Sequence, residues 1–192
     1  MKRLLAVWCS CLPVLAFANT GVPSPQVLWK EIHGLQKLHA KMPESIPYQV
    51  GSRTVDPYTT DLSNAATNDS IQKAGGILKV TRYGKGSLVV KENYNLHKQL
   101  VGITAMLKVK DFDPVDRNWV MASYTPAGKV LAFGKVGTCI ACHVLVRKQD
   151  MVFAPPPQQL LSVNTWKAFF PKQTLNPRYL ALIKQHPHNI VQ

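Results

Sequence analysis

The stretch Tyr83-Gly84-Lys85-Gly86-Ser87-Leu88-Val89-Val90-Lys91-Glu92 sets the fold class. Its glycine-rich start is a turn signal, and the following run is rich in β-branched and apolar residues. Successive strand side chains point to opposite faces, so Leu88 and Val90 belong to one face and Val89 and Lys91 to the other. Further period-two segments lie at residues 76–83, 101–110, 118–124 and 129–133, the last two separated by Thr125-Pro126-Ala127-Gly128. Parallel neighbours need crossover links of a dozen or more residues, and connections this short predict an antiparallel sheet of about five strands.

Outward from the sheet the period changes. Leu28, Ile32, Leu35, Leu38 and Met42 recur at helical spacing, with Ser24 as N-cap, Pro25 at the first helical position and Pro43 as a stop, predicting a helix over residues 25–42. Residues 47–74 are polar and read as loop with a short helix near Asn64, and short helices are expected at residues 160–170 and 177–184. The expected class is α+β, a mainly antiparallel sheet with an N-terminal helix and short C-terminal helices. That layout differs from bundles of long amphipathic helices.

Between the last strand and the tail stands Cys139-Ile140-Ala141-Cys142-His143. A Cys-x-x-Cys-His run is the attachment site of a c-type haem: two thiols bond to the macrocycle and the adjacent imidazole supplies an axial iron ligand. A zinc site would need a second ligand pair, and the other cysteines, Cys9 and Cys11, fall in a different kind of segment. Met1-Lys2-Arg3, the apolar stretch from Leu4 to Phe17 and the small residues around Ala18 describe a secretory signal peptide over residues 1–18. Residues 19–192 are then expected as one haem domain, about 174 residues long, exported to the periplasm.

The whole chain carries +13, and +11 remains without Lys2 and Arg3. From Arg117 onward there are nine Lys or Arg and one acid, Asp150. Such a surface suits anionic partners, an acidic redox protein among them, or is a solvated basic face; nucleic acid is not expected as a partner in an exported protein.

Gly86 to Tyr94, Met106-Leu107-Lys108, Asp113-Pro114, Asn118-Trp119, Cys139 to His143 and Asp150-Met151-Val152-Phe153, in this order, resemble the cytochrome P-460 family over residues 76–153. The resemblance implies a mostly antiparallel β fold, commonly homodimeric, with one covalent c-type haem, His143 as axial ligand and an open distal side. Catalytic members of that family oxidise hydroxylamine, and their haem is also cross-linked to a lysine, whose position Lys91 matches. The related cytochrome c′-β proteins lack the cross-link and bind nitric oxide or carbon monoxide under a nonpolar cap.

Three functions follow as expectations: a hydroxylamine- or nitric oxide-linked oxidoreductase passing single electrons to a redox partner protein, a nonenzymatic nitric oxide binder, and a simple electron-transfer cytochrome. Oxidation of hydroxylamine requires a base near the iron. Residues 117–149 contain no Asp or Glu, which leaves Asp116 as the candidate distal base and a turn carboxylate as its alternative role. Phe133 is a candidate nonpolar cap or a core aromatic at a strand end, Met106, Met121 and Met151 are candidate sixth ligands or core residues, and Arg147 and Lys148 are candidate partners of the haem propionates or solvated charges. His97, in a polar turn, is a weaker ligand candidate than His143.

Overall fold

A computed structural model describes residues 21–191. The expected signal peptide, with Cys9 and Cys11, lies outside the described residues. In chain order the elements are α1 (Pro25–Lys37), β1 (Gln49–Val50), β2 (Tyr58–Ser63), α2 (Ala65–Ala74), β3 (Leu88–Tyr94), β4 (Leu100–Lys108), β5 (Trp119–Tyr124), β6 (Val130–Gly134), α3 (Gly137–His143), β7 (Leu160–Leu161), α4 (Val163–Phe169), α5 (Pro177–Gln185) and β8 (Ile190–Val191). Strands β1 to β6 form one antiparallel sheet in sequential order, and β7 and β8 pair in parallel apart from it.

The α+β class with flanking helices is the one expected, but the main sheet has six strands and not all are those predicted. Residues 76–83 are not a strand. Gly75 and Gly76 take positive φ, a 3-10 turn follows at Ile77–Lys79, and Ile77, Val80 and Tyr83 are buried at a spacing of three that a strand cannot place on one face. Conversely, β1 and β2 occupy a stretch read as loop. Tyr58-Thr59-Thr60-Asp61-Leu62-Ser63 carries little apolar alternation because its inner positions are polar, and pairing to β3 over six residues makes it a strand nonetheless.

Helix α1 starts as read, with Ser24 Oγ accepting the Val27 N–H at 3.3 Å and Pro25 in the first turn. It stops at Lys37, short of Met42, because His39 takes a positive φ and the chain then runs beside β2, where the Met42 N–H donates to the Asp61 carbonyl at 2.9 Å. Leu28 and Ile32 are fully buried against Leu62, Leu88, Val90, Ile103, Ala105 and Val120 on one sheet face. Each contributes about 1.5–3 kcal/mol by burial.

The opposite sheet face carries Val89, Lys91, Met106 and Met121, with Met42, Trp119, Met151 and Val152 packed around it. A third cluster, Leu160, Leu161, Trp166, Leu175 and Tyr179, joins the C-terminal elements to Cys142 and Phe153. Asn176 fastens this unit to the sheet's first strands, since its Nδ2 donates to the Gly51 carbonyl at 2.9 Å. A cavity therefore lies between one face of the sheet, α3 and the C-terminal helices.

Candidate haem site

Helix α3 places His143 at its last position, Cys142 beside it and Cys139 one turn earlier, so one short helix brings the three groups of the motif to one wall of the cavity. The Cys139 and Cys142 thiols are free and half-buried. Burial raises the pKa of Cys139 and pushes that of Cys142 up to about 11, the latter against the opposing pull of the Lys91 charge.

The His143 ring is fixed from behind. Its Nδ1 lies 2.7 Å from the Met151 carbonyl oxygen, which can only accept, so Nδ1 carries the proton and Nε2 is left as the free lone pair. Phe153 meets the ring edge-on, with centroids 5.4 Å apart. Burial holds the imidazole pKa below its ordinary value, partly offset by the Met151 hydrogen bond, which favours the neutral ring that binds a metal.

The facing wall is the sheet. Lys91, on β3, pairs in register with Asp61 on β2 and Thr104 on β4, and all three line the cavity. Lys91 is exposed although its strand is interior to the sheet, since its side chain projects into the open space. Asp61 is half-buried; Oδ2 accepts the Gln49 Nε2–H at 2.6 Å, and burial raises its pKa despite lowering by Lys91 and Gln49. Asp56 is already neutralised by Arg53, whose Nε donates to Oδ1 at 2.7 Å while a terminal nitrogen binds Oδ2. Phe153, Phe169, Phe170, Met106 and Met121 supply apolar wall.

The cavity measures about 390 Å³, within the range of ~300–1,000 Å³ usual for cofactor sites. Two free thiols, a neutral imidazole with Nε2 unclaimed and an apolar surround together suit a covalently held haem: Cys139 and Cys142 would anchor it and His143 would ligate the iron. Among the described residues no cluster of three or more His, Cys, Asp or Glu could hold a metal ion by itself.

Several predicted site residues lie elsewhere. Asp116 does not line the cavity; it belongs to the turn between β4 and β5, where its N–H donates to the Asp113 carbonyl at 3.1 Å and its carbonyl receives the Trp119 N–H at 3.4 Å. The local turn competes for Asp116, and the carboxylates on the wall are Asp56 and Asp61. Phe133 packs on the α1 side of the sheet and cannot cap the cavity. Arg147 donates to the Val115 carbonyl at 2.8 Å, neither it nor Lys148 reaches the wall, and Arg53 is the guanidinium that does. Met106 and Met121 line the cavity, Met151 is buried behind it, and His97 sits in an exposed turn where its N–H donates to Asn95 at 3.0 Å.

Asp61 and Gln49 escape a reading of the sequence because their segment carries no periodic or motif signal, and Phe169 and Phe170 because an expected helix at 160–170 does not say that it reaches the cavity. A family model described as Cytochrome P460 matches residues 48–154, from the end of the loop before β1 to just beyond Phe153. No curated protein matches the chain.

Proposed function

The chain belongs to the cytochrome P460 family and its cofactor is a covalently bound c-type haem; from that premise we propose that it is an exported oxidoreductase that oxidises hydroxylamine and passes the electrons singly to a redox partner protein. Nitric oxide is the product or an alternative ligand of the same site. The observation that carries this reading is Lys91, which presents its amine to the cavity wall facing Cys139, Cys142 and His143. It occupies the position of the family's cross-linking lysine and would hold a third covalent link to the haem edge.

When bound, haem supplies the iron that receives the substrate nitrogen and its electrons. The chain's own residues do the rest. Cys139 and Cys142 would fix the group in place, and the Met151 carbonyl, by holding His143 Nδ1–H, leaves Nε2 as the nitrogen that would ligate the iron. Phe153, Phe169 and Phe170 keep bulk water from the wall opposite the polar strand residues, which strengthens electrostatic interactions inside. The basic surface favours an acidic electron partner. Export to the periplasm and assembly as a homodimer complete the proposal.

A nonenzymatic nitric oxide binder is the second reading, favoured by those three phenylalanines, since an apolar wall suits a neutral diatomic ligand. Two measurements decide. Mass spectrometry of the haem peptide should find a third link through Lys91, absent in Lys91→Ala, and the optical spectrum of the ferrous protein should shift with it. An anaerobic assay with hydroxylamine and an artificial one-electron acceptor should give turnover above that of free haem; none would leave the gas-binding reading.

A further inference from the structure

Oxidising hydroxylamine to nitric oxide releases three protons and three electrons, so the cavity needs somewhere to put a proton as each electron leaves. The segment leading into Cys139 offers no acid, and Asp116 lies off the cavity wall. Of the two carboxylates on the wall, Asp56 has both oxygens engaged by Arg53. Asp61 differs. Gln49 Nε2–H occupies Oδ2, while Oδ1 accepts no hydrogen bond from the described residues and is not sealed away.

The mounting of Asp61 is firm. Its backbone carbonyl accepts the Met42 N–H at 2.9 Å, its own N–H donates to Ser45 Oγ at 3.4 Å, and Ser45 Oγ also donates to Gln49 Oε1 at 3.3 Å. Ser45 and Gln49 are both buried. A carboxylate held by one oxygen on a strand, with the other facing a cavity, is the geometry of a general base.

We propose that Asp61 is the proton acceptor of the haem cavity, in place of Asp116. Each proton lost by a nitrogen ligand in the cavity would pass to Asp61 Oδ1 and on to solvent, matched by one electron given up to the one-electron acceptor protein. This rests on the hydroxylamine reading for its substrate but not for its chemistry, because any ligand that binds with loss of a proton would use the same carboxylate.

The charged groups acting on Asp61 are Lys91 across the β2–β3 pair and Glu92 beyond it on β3, and the other charged and titratable groups on the same cavity are Arg53 and Asp56 from the preceding loop, Cys139, Cys142 and His143 from α3 and Tyr179 from α5. Burial lifts the carboxyl pKa above its ordinary range, Lys91 and Gln49 pull it down, and Glu92 lifts it slightly. An amine bonded to the edge of an aromatic macrocycle is a much weaker base than a free lysine. A Lys91 link would therefore remove a positive charge beside Asp61 and move it further toward the working pH, where a general base is most effective.

The test uses the ferric haem-loaded protein and cyanide. Hydrogen cyanide enters as the neutral acid and loses its proton on coordination, so the binding rate reports a base in the cavity. The expected wild-type rate falls as pH drops through the Asp61 titration. Asp61→Asn, which keeps an acceptor for Gln49, should bind cyanide about tenfold or more slowly, with that pH step gone, and lose about 10²-fold or more of hydroxylamine turnover. Asp61→Glu should recover part of both.

Gln49→Leu leaves Asp61 in place but removes a hydrogen bond to its charged form, so the midpoint should move to higher pH. This variant carries the test if Asp61→Asn fails to load haem. Cyanide rates and pH profiles unchanged within about twofold in Asp61→Asn, far below the effect of losing a general base, or an unshifted midpoint in Gln49→Leu, would overturn the proposal. An Asp61-dependent cyanide profile in a protein that does not oxidise hydroxylamine would uphold it and sink the substrate assignment alone.

Discussion

Lys108 Nζ lies 2.5 Å from Asp150 Oδ2, with the two side chains only 8% and 1% exposed. The same oxygen accepts the Tyr83 N–H at 2.7 Å, the Asp150 carbonyl accepts Trp119 Nε1–H at 2.7 Å, and the ammonium stands 4.7 Å from the centre of the Trp119 ring. Burial lowers the Lys108 pKa and its bond to Asp150 opposes that shift. The next residue, Met151, takes a φ of 69° and turns its carbonyl onto His143 Nδ1. A buried ion pair behind the cavity thus sets the acceptor that orients the His143 ring.

Breaking that pair from one side should be costly. Lys108→Met strands a buried carboxylate and is expected to cost about 3–5 kcal/mol. Urea unfolding of the haem-loaded protein measures it, and Lys108→Met combined with Asp150→Asn should regain a large part by removing the unpaired charge. A loss below about 1 kcal/mol in the single variant, the scale of an exposed pair, would show that Lys108 and Asp150 are not clamped.

Asn64 joins two elements the sheet depends on. Its Oδ1 accepts the N–H groups of Thr67 at 3.1 Å and Leu88 at 3.0 Å, and its Nδ2 donates to the Gly86 carbonyl at 2.8 Å, tying the start of α2 to the start of β3. Asn64→Ala loses a helix cap, about 1 kcal/mol, and leaves a strand N–H without this acceptor, about 1–3 kcal/mol more. Thermal or urea unfolding should show a loss of about 2–4 kcal/mol, and Asn64→Asp, which keeps the acceptor, a smaller one.

The C-terminal aromatics form a wall that the family match does not include, since it ends at residue 154. Phe169 and Phe170 both line the cavity, and Phe170 packs on Trp166 with ring centroids 5.3 Å apart. Phe170→Ala should widen the site and strengthen binding of imidazole, a bulkier ligand than hydroxylamine, by about tenfold, on the scale of ~1–3 kcal/mol for steric discrimination in an apolar pocket. Spectroscopic titration of the ferric protein checks this; unchanged imidazole affinity would mean the ring does not limit the space.

The sequence disclosed the parts of the site whose chemistry is local. Cys139, Cys142 and His143 are legible because one turn of chain holds thiols and imidazole together, and the alternation Val89-Val90-Lys91 placed Lys91 opposite the core face before any coordinates. Asp61 was invisible for a physical reason. Strand β2 turns polar Thr59 and Asp61 toward the cavity, so the apolar alternation that reveals a strand is absent from the strand that carries the candidate base. For Asp116 nearness in sequence to the next strand left the base and turn roles both open; its backbone lies in the turn and its side chain is not on the cavity wall. Phe169 and Phe170 reach the cavity only through long-range packing of Leu160, Trp166 and Tyr179, and Phe133 could be offered both as cap and as core because a strand end does not announce which face it joins; it joins the core beside α1.

The Cys142 thiol gives a direct reading of how dry the attachment wall is. Burial pushes its pKa up to about 11, Cys139 adds a little, and the nearby Lys91 charge acts the other way. The thiolate is the species that reacts with iodoacetamide, so in haem-free protein alkylation of Cys142 should be slow at neutral pH and keep rising as pH climbs toward about 11. Lys91→Met removes the stabilising charge and should move that rise higher still, whereas Lys91→Arg should leave it in place. Mass spectrometry of the labelled peptide as a function of pH measures both. A rate that levels off near the ordinary thiol value of about 8.5 would mean that Cys142 faces water, and the enclosed wall drawn between α3 and the C-terminal helices would have to be abandoned.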